Sequence, residues 1–139
     1  MGVNLDLLIP NPQAIGPEGL DAEWRNAFRV ITRIPVGQDY RVYAQLRNLS
    51  GDTMGADRPD VPKRPHIKPR AFPPDIRIPL HGDGGWREID SDALGRPLTF
   101  VTAGQLRMLR VEQSSPWNRA LGIFLSALPL TTPIVLYWS

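Results

Sequence analysis

The chain has 139 residues, 42% of them hydrophobic, with 16 basic and 14 acidic side chains, a net charge of +2 and no cysteine. That apolar content supports a packed core and excludes global disorder. The missing cysteines exclude disulfides and thiolate metal sites, and the small net charge makes long-range attraction to nucleic acid modest.

No stretch reaches the roughly 18 to 20 apolar residues of a membrane span. The opening "MGVNLDLLIP" lacks the basic start and long apolar run of a signal peptide, and Asp6 stands where a myristoylation signal needs serine or threonine. A cytoplasmic location is expected. Fifteen prolines and twelve glycines predict short elements and long connections. No repeat or composition break divides the chain, so residues 1–139 are expected to form one domain.

In chain order, residues 3–9 alternate Val3, Leu5 and Leu7 with Asn4 and Asp6, which predicts a half-buried strand ending at Pro10. Residues 21–34 fit two periods. Trp24, Phe28 and Ile31 suit a helix, whereas the β-branched residues near the end favour a strand over 27–33. Residues 39–48 read as a short helix capped by Asp39. Residues 50–79 are irregular, because seven prolines between Pro59 and Pro79 forbid a helix. Short strands are expected on either side of "HGDGG".

Thr102 and Gln105 form a capping box, and Ser115-Pro116 opens another helix. Trp117, Ala120, Leu121, Phe124, Leu125 and Leu128 then follow at helical spacing. This stripe predicts a helix over 116–128 that buries about six apolar side chains and is the main support of the core. The run Ile134–Trp138 predicts a strand buried on both faces. The fold class is therefore α+β: a small mixed or antiparallel sheet containing the first and last strands, two or three short helices, and a proline-rich loop.

Candidate chemistry is sparse. His66 and His81 are the only histidines, too few for a metal site, and no cofactor motif is present. His81 and Asp83 in "HGDGGW" could pair as a general base and its orienting partner, or Asp83 could simply serve a tight turn. "PKRPHIKPR" concentrates Lys63, Arg64, His66, Lys68 and Arg70, with Asp57, Asp60 and Asp75 nearby. It reads as a proline-stiffened surface for carboxylate or phosphate, or as a solvated connection. Trp24 and Trp86 are read as core residues, with an exposed interface anchor as the alternative.

Several segments resemble a family of small uncharacterised proteins of tailed bacteriophages and prophages, whose chains open Met-Gly-Cys-Asp-Ile-His. "QDYRVYAQLRNL" is similar to the family's Arg-Asn-Tyr-x-Leu-Phe-Ala-x-Leu-Ala-Gly segment at Asp39, Tyr40, Tyr43, Ala44 and Leu46. "RAFPPDI" resembles its Gly-Leu-Pro-x-Asp segment through Phe72, Pro73 and Asp75, and "RPLTFVTAGQL" its His-Ser-x-Ser-Trp-Leu-Thr-x-x-Glu-Leu segment at Phe100, Thr102, Gln105 and Leu106. "PIVLYWS" sits where the family closes on Phe-Trp-Phe-Asp-Asn. The family's Cys-Asp-Ile-His is "VNLD" here, its histidines fall near Arg96 and Leu98, and its final Asp-Asn is absent.

The resemblance implies a phage setting and a scaffold whose polar site has been lost, which favours binding over catalysis. The expected function is that of a phage-type accessory protein inhibiting a host defence component. Its partner would be an acidic protein surface or a phosphate-bearing nucleotide. The alternatives are a self-associating assembly protein and a minimal enzyme using His81 and Asp83. Sequence-specific DNA binding is disfavoured, because no helix is basic enough on one face to read a groove.

Overall fold

Leu5 and Trp138 stand opposite each other in an antiparallel sheet that joins the two ends of the chain. The computed structural model describes residues 2–49, 61–62 and 64–139. The first elements are β1 (Leu5–Pro10), a 3-10 turn at Pro12–Ala14, the two-residue strands β2 (Ile15–Gly16) and β3 (Gly19–Leu20), and α1 (Trp24–Ala27). Next come β4 (Ile31–Val36), α2 (Tyr40–Tyr43), β5 (Arg70–Ala71), β6 (Ile78–Gly82) and β7 (Gly85–Ile89). The chain closes with β8 (Thr99–Thr102), α3 (Ala103–Leu106), α4 (Pro116–Ser126) and β9 (Pro133–Trp138).

The main sheet has the order β4-β1-β9-β8-β5, and every neighbouring pair is antiparallel. The fold is α+β, and the last strand is the central one. All six residues of β9 are buried, as an uninterrupted apolar run requires. Ile134, Leu136 and Trp138 join Leu5, Leu7 and Ile9 on one face, under α2, α3 and α4. Val135, Tyr137 and Leu8 point to the other face, under α1 and the β6–β7 hairpin. There Trp24, Phe28, Phe72 and Phe100 pack ring on ring, with centroids 4.9 to 6.3 Å apart.

This second layer explains one departure from the sequence reading. β1 was expected to be half-buried, but Leu7, Leu8, Ile9 and Pro10 are all buried because both faces of the strand are covered.

Residues 21–34 hold both periods in succession, not one. α1 ends where the Phe28 N–H bonds the Trp24 carbonyl at 2.9 Å, and the strand begins at Ile31, later than the expected 27–33. Burial of Phe28 against Phe72 holds that end of the segment helical. Asp39 caps α2 as expected, its carboxylate accepting from the Arg41 N–H at 2.9 Å. α2 itself spans only four residues before looser turns take over.

The expectation for α4 is corrected. Its caps form as predicted, with Ser115 accepting from the Asn118 N–H and Pro116 at the first position. Only Leu121 and Leu125 of the apolar stripe are buried, whereas Trp117 is 54% exposed and Phe124 42%. The helix is rotated so that Asn118 faces inward and bonds both backbone groups of Gly37. The main support of the core is therefore the β1–β9 pair, where Leu5, Leu7, Ile134 and Leu136 are fully buried.

Of the proline-rich stretch, residues 50–60 and Lys63 lie outside the described residues. Its described residues contain no helix, as expected, but it is not wholly irregular, since β5 and the start of β6 fall within it and pair with β8 and β7; Val61 and Ile67 are buried anchors. No helix among the described residues is long and apolar enough to cross a membrane.

Candidate functional site

Gln45 is buried at 4% exposure, two residues past the Tyr40–Tyr43 helix, and its amide ties two distant segments together. Its Nε2 donates to the carbonyls of Arg41 and Arg110, both at 2.9 Å, and its Oε1 accepts from the Arg110 N–H at 2.7 Å. The Ile67 N–H adds a third segment by donating to the Gln45 carbonyl at 3.0 Å. α2, the proline-rich stretch and the 107–114 connection thus share one anchor.

Between them lies an open cleft of about 540 Å³. Arg41, Arg64, His66 and Arg110 line it, together with Asp39 and Glu112. Arg41 is engaged: it bonds the Asp39 carboxylate and the Gln113 carbonyl. Arg64 and Arg110 meet no carboxylate within salt-bridge distance among the described residues. His66 Nε2 lies 3.3 Å from the Met108 carbonyl, and since a carbonyl only accepts, the tautomer making this bond carries its proton on Nε2.

The two carboxylates differ. Burial acts to raise the Asp39 pKa, but hydrogen bonds from Arg41 and from Ser114, whose Oγ donates at 2.8 Å, outweigh it. Asp39 is therefore held below the usual carboxylate range and stays ionised. Glu112 has no partner among the described residues.

The "PKRPHIKPR" residues do not form a single patch. Arg64 and His66 line the cleft on the helix face of the sheet. Ile67 plugs into the core, and the Lys68 carbonyl is a distant acceptor for Gln105 Nε2, at 3.5 Å. The Lys68 side chain is exposed outside the cleft. Arg70 crosses to the sheet edge, its guanidinium 4.9 Å from the centre of the Phe100 ring. Asp75, a nearby counter-charge in sequence, instead pairs with Arg25 at 2.6 Å.

His81 and Asp83 sit at the tip of the β6–β7 hairpin. Asp83-Gly84 is a two-residue turn, followed by Gly85 with a φ of 92° that favours glycine. The His81 ring packs edge-on against Trp86, and no hydrogen bond joins it to Asp83 among the described residues. Trp86 is 73% exposed, which corrects the core reading, because the outer face of the hairpin has no layer above it. Trp24 is instead half-buried in the aromatic cluster. Among the described residues no three histidine or carboxylate side chains gather as a metal site.

Sequence reasoning missed Arg110, Glu112 and the clamp by Gln45. "RMLRVEQ" carries no motif, and no local pattern pairs it with residue 64. Comparison with protein-family models, with curated proteins and with solved structures found no match.

Proposed function

We propose that the protein acts by binding an anionic partner in the cleft lined by Arg64, His66 and Arg110. In the phage setting implied by the resemblance, the partner is a host defence component, either an acidic protein face or a nucleotide signal, and binding inhibits it. The observation that carries this reading is the convergence of Arg64 and Arg110, both without a carboxylate partner among the described residues, on one concave surface. Guanidinium groups suit such ligands because their forked donors match carboxylate and phosphate oxygens.

The test is capture of the partner from bacterial lysate. Arg64→Glu with Arg110→Glu should abolish capture without lowering the melting temperature, and Lys68→Glu, outside the cleft, should leave it intact. Undiminished capture by the double variant would sink the reading.

A second reading, self-association, is favoured by the outer face of α4. Trp117, Ile123 and Phe124 are exposed on a helix whose only charged residue is Arg119. Size-exclusion chromatography of Ile123→Glu against the unaltered protein tests it: a dimer that persists in the variant would remove α4 as the interface.

A further inference from the structure

Resting on the reading of the cleft as an anion site, we infer that its ligand is a nucleoside diphosphate, held by phosphate and sugar, not by its base. Three observations lead there. The cleft, at about 540 Å³, falls within the roughly 300 to 1,000 Å³ typical of small-molecule sites, and it is concave where a protein-docking face is flat. Arg64 and Arg110 arrive from two different segments and supply forked donors that can take different oxygens of one phosphate chain.

The third observation is Glu112. A carboxylate with no partner among the described residues, in the same cleft, repels a simple anion such as inorganic phosphate. It becomes favourable when the ligand also presents hydrogen-bond donors, as the hydroxyls of a ribose do. Asp39 cannot play this part, because Arg41 and Ser114 already occupy its oxygens. Pro62 gives the sugar an apolar surface.

The only ring lining the cleft among the described residues is the His66 imidazole, tied at Nε2 to the Met108 carbonyl, and no Phe, Tyr or Trp offers a larger platform for base stacking. Stacking tolerates every base and base-edge hydrogen bonds discriminate among them, so with one imidazole and no larger ring to fix a base in place, discrimination should be weak.

The experiment is isothermal titration calorimetry of the full chain with inorganic pyrophosphate, adenosine, and the diphosphates of adenosine, guanosine, cytidine and uridine. The four diphosphates should bind within about threefold of one another and tighter than pyrophosphate, while adenosine alone should not bind, as follows where charge-assisted contacts carry the affinity. Arg110→Ala should weaken pyrophosphate and diphosphates alike, by about tenfold, the worth of one charged hydrogen bond. Glu112→Gln should weaken the diphosphates but leave pyrophosphate unchanged or improved, because it removes a repulsion.

Pyrophosphate binding as tightly as every diphosphate would overturn the nucleotide assignment and leave the anion site standing. A base preference above a hundredfold would overturn the recognition by phosphate and sugar. No binding of any probe, with lysate capture still dependent on Arg64 and Arg110, would overturn the nucleotide and point to an acidic protein. Loss of both would overturn the cleft reading itself.

Discussion

Asn118 holds both backbone groups of Gly37: its Oδ1 accepts from the Gly37 N–H at 2.7 Å and its Nδ2 donates to the Gly37 carbonyl at 3.0 Å. The same Nδ2 reaches Ser114 Oγ at 2.9 Å. A buried amide thereby satisfies the chain just beyond β4, and in doing so sets the rotation of α4.

Asn118→Ala should destabilise the fold by about 2 to 4 kcal/mol, because two partly buried backbone groups and the buried Ser114 hydroxyl lose a partner. Urea denaturation measures it. A loss below about 0.5 kcal/mol, the usual range for a surface change, would mean that the pair does not position the helix. Gly37→Ala should also destabilise, since its Cβ would sit 3.0 Å from Asn118 Oδ1 and the three hydrogen bonds of that amide keep it from retreating.

The core should be far less tolerant at β9 than at α4. Leu136→Ala removes a fully buried side chain from the central strand and should cost about 2 to 5 kcal/mol. Phe124→Ala on the outer side of α4 should cost under about 1 kcal/mol. Equal losses would contradict the assignment of the β1–β9 pair as the principal support.

Tyr43 links stability to alkaline pH. Burial pushes its pKa from 10.0 up to about 12, while its hydroxyl donates to the Val36 carbonyl at 3.0 Å. The folded state thus holds the phenol proton more tightly than the unfolded chain does. Its contribution is full below pH 10 and is lost as pH rises through about 12. Tyr43→Phe should lose about 1 kcal/mol at neutral pH with the hydrogen bond, and its melting temperature should fall less between pH 10 and 12. Parallel alkaline limbs would contradict the assignment.

Asp39 produces the opposite dependence. Its folded pKa lies below the ordinary 3.8, so its network is fully stabilising above that value and is lost as pH falls through the lower, folded one. Asp39→Asn should cost about 1 kcal/mol at neutral pH, as a weakened cap does, and should flatten the acid limb below pH 4. An acid limb identical to that of the unaltered protein would exclude Asp39 as the titrating group.

The cleft's architecture also depends on Gln45. Gln45→Leu should keep the helix but free the Arg110 backbone, so anion affinity should fall together with hydrogen-exchange protection of the Arg110 amide. Unchanged protection would mean that the connection is held elsewhere.

Local features of the fold were legible because their causes lie within one turn of chain. Asp39, the Thr102–Gln105 box and Ser115-Pro116 each satisfy backbone groups two or three residues away, and all three cap helices. The apolar run Ile134–Trp138 marked a strand buried on both faces by composition alone, and all six residues of β9 are buried. The same locality explains the ambiguity at 21–34, where both periods were present and burial of Phe28 against Phe72 marked where one gave way to the other.

Sidedness and convergence were decided by tertiary structure. The stripe on α4 named six apolar residues, but which of them face inward follows from the bonds of Asn118 to a glycine 81 positions away. The charge run at 62–70 was visible in the sequence, but Ile67 anchors it midway, sending Arg64 and His66 to one face of the sheet and Arg70 to the other. Arg110 joins Arg64 only because Gln45 bonds its backbone. Caps and periods depend on near neighbours, so the sequence by itself determined them. Which charges share a cleft depends on how buried polar groups find partners across the whole chain, and that only the packed structure decides.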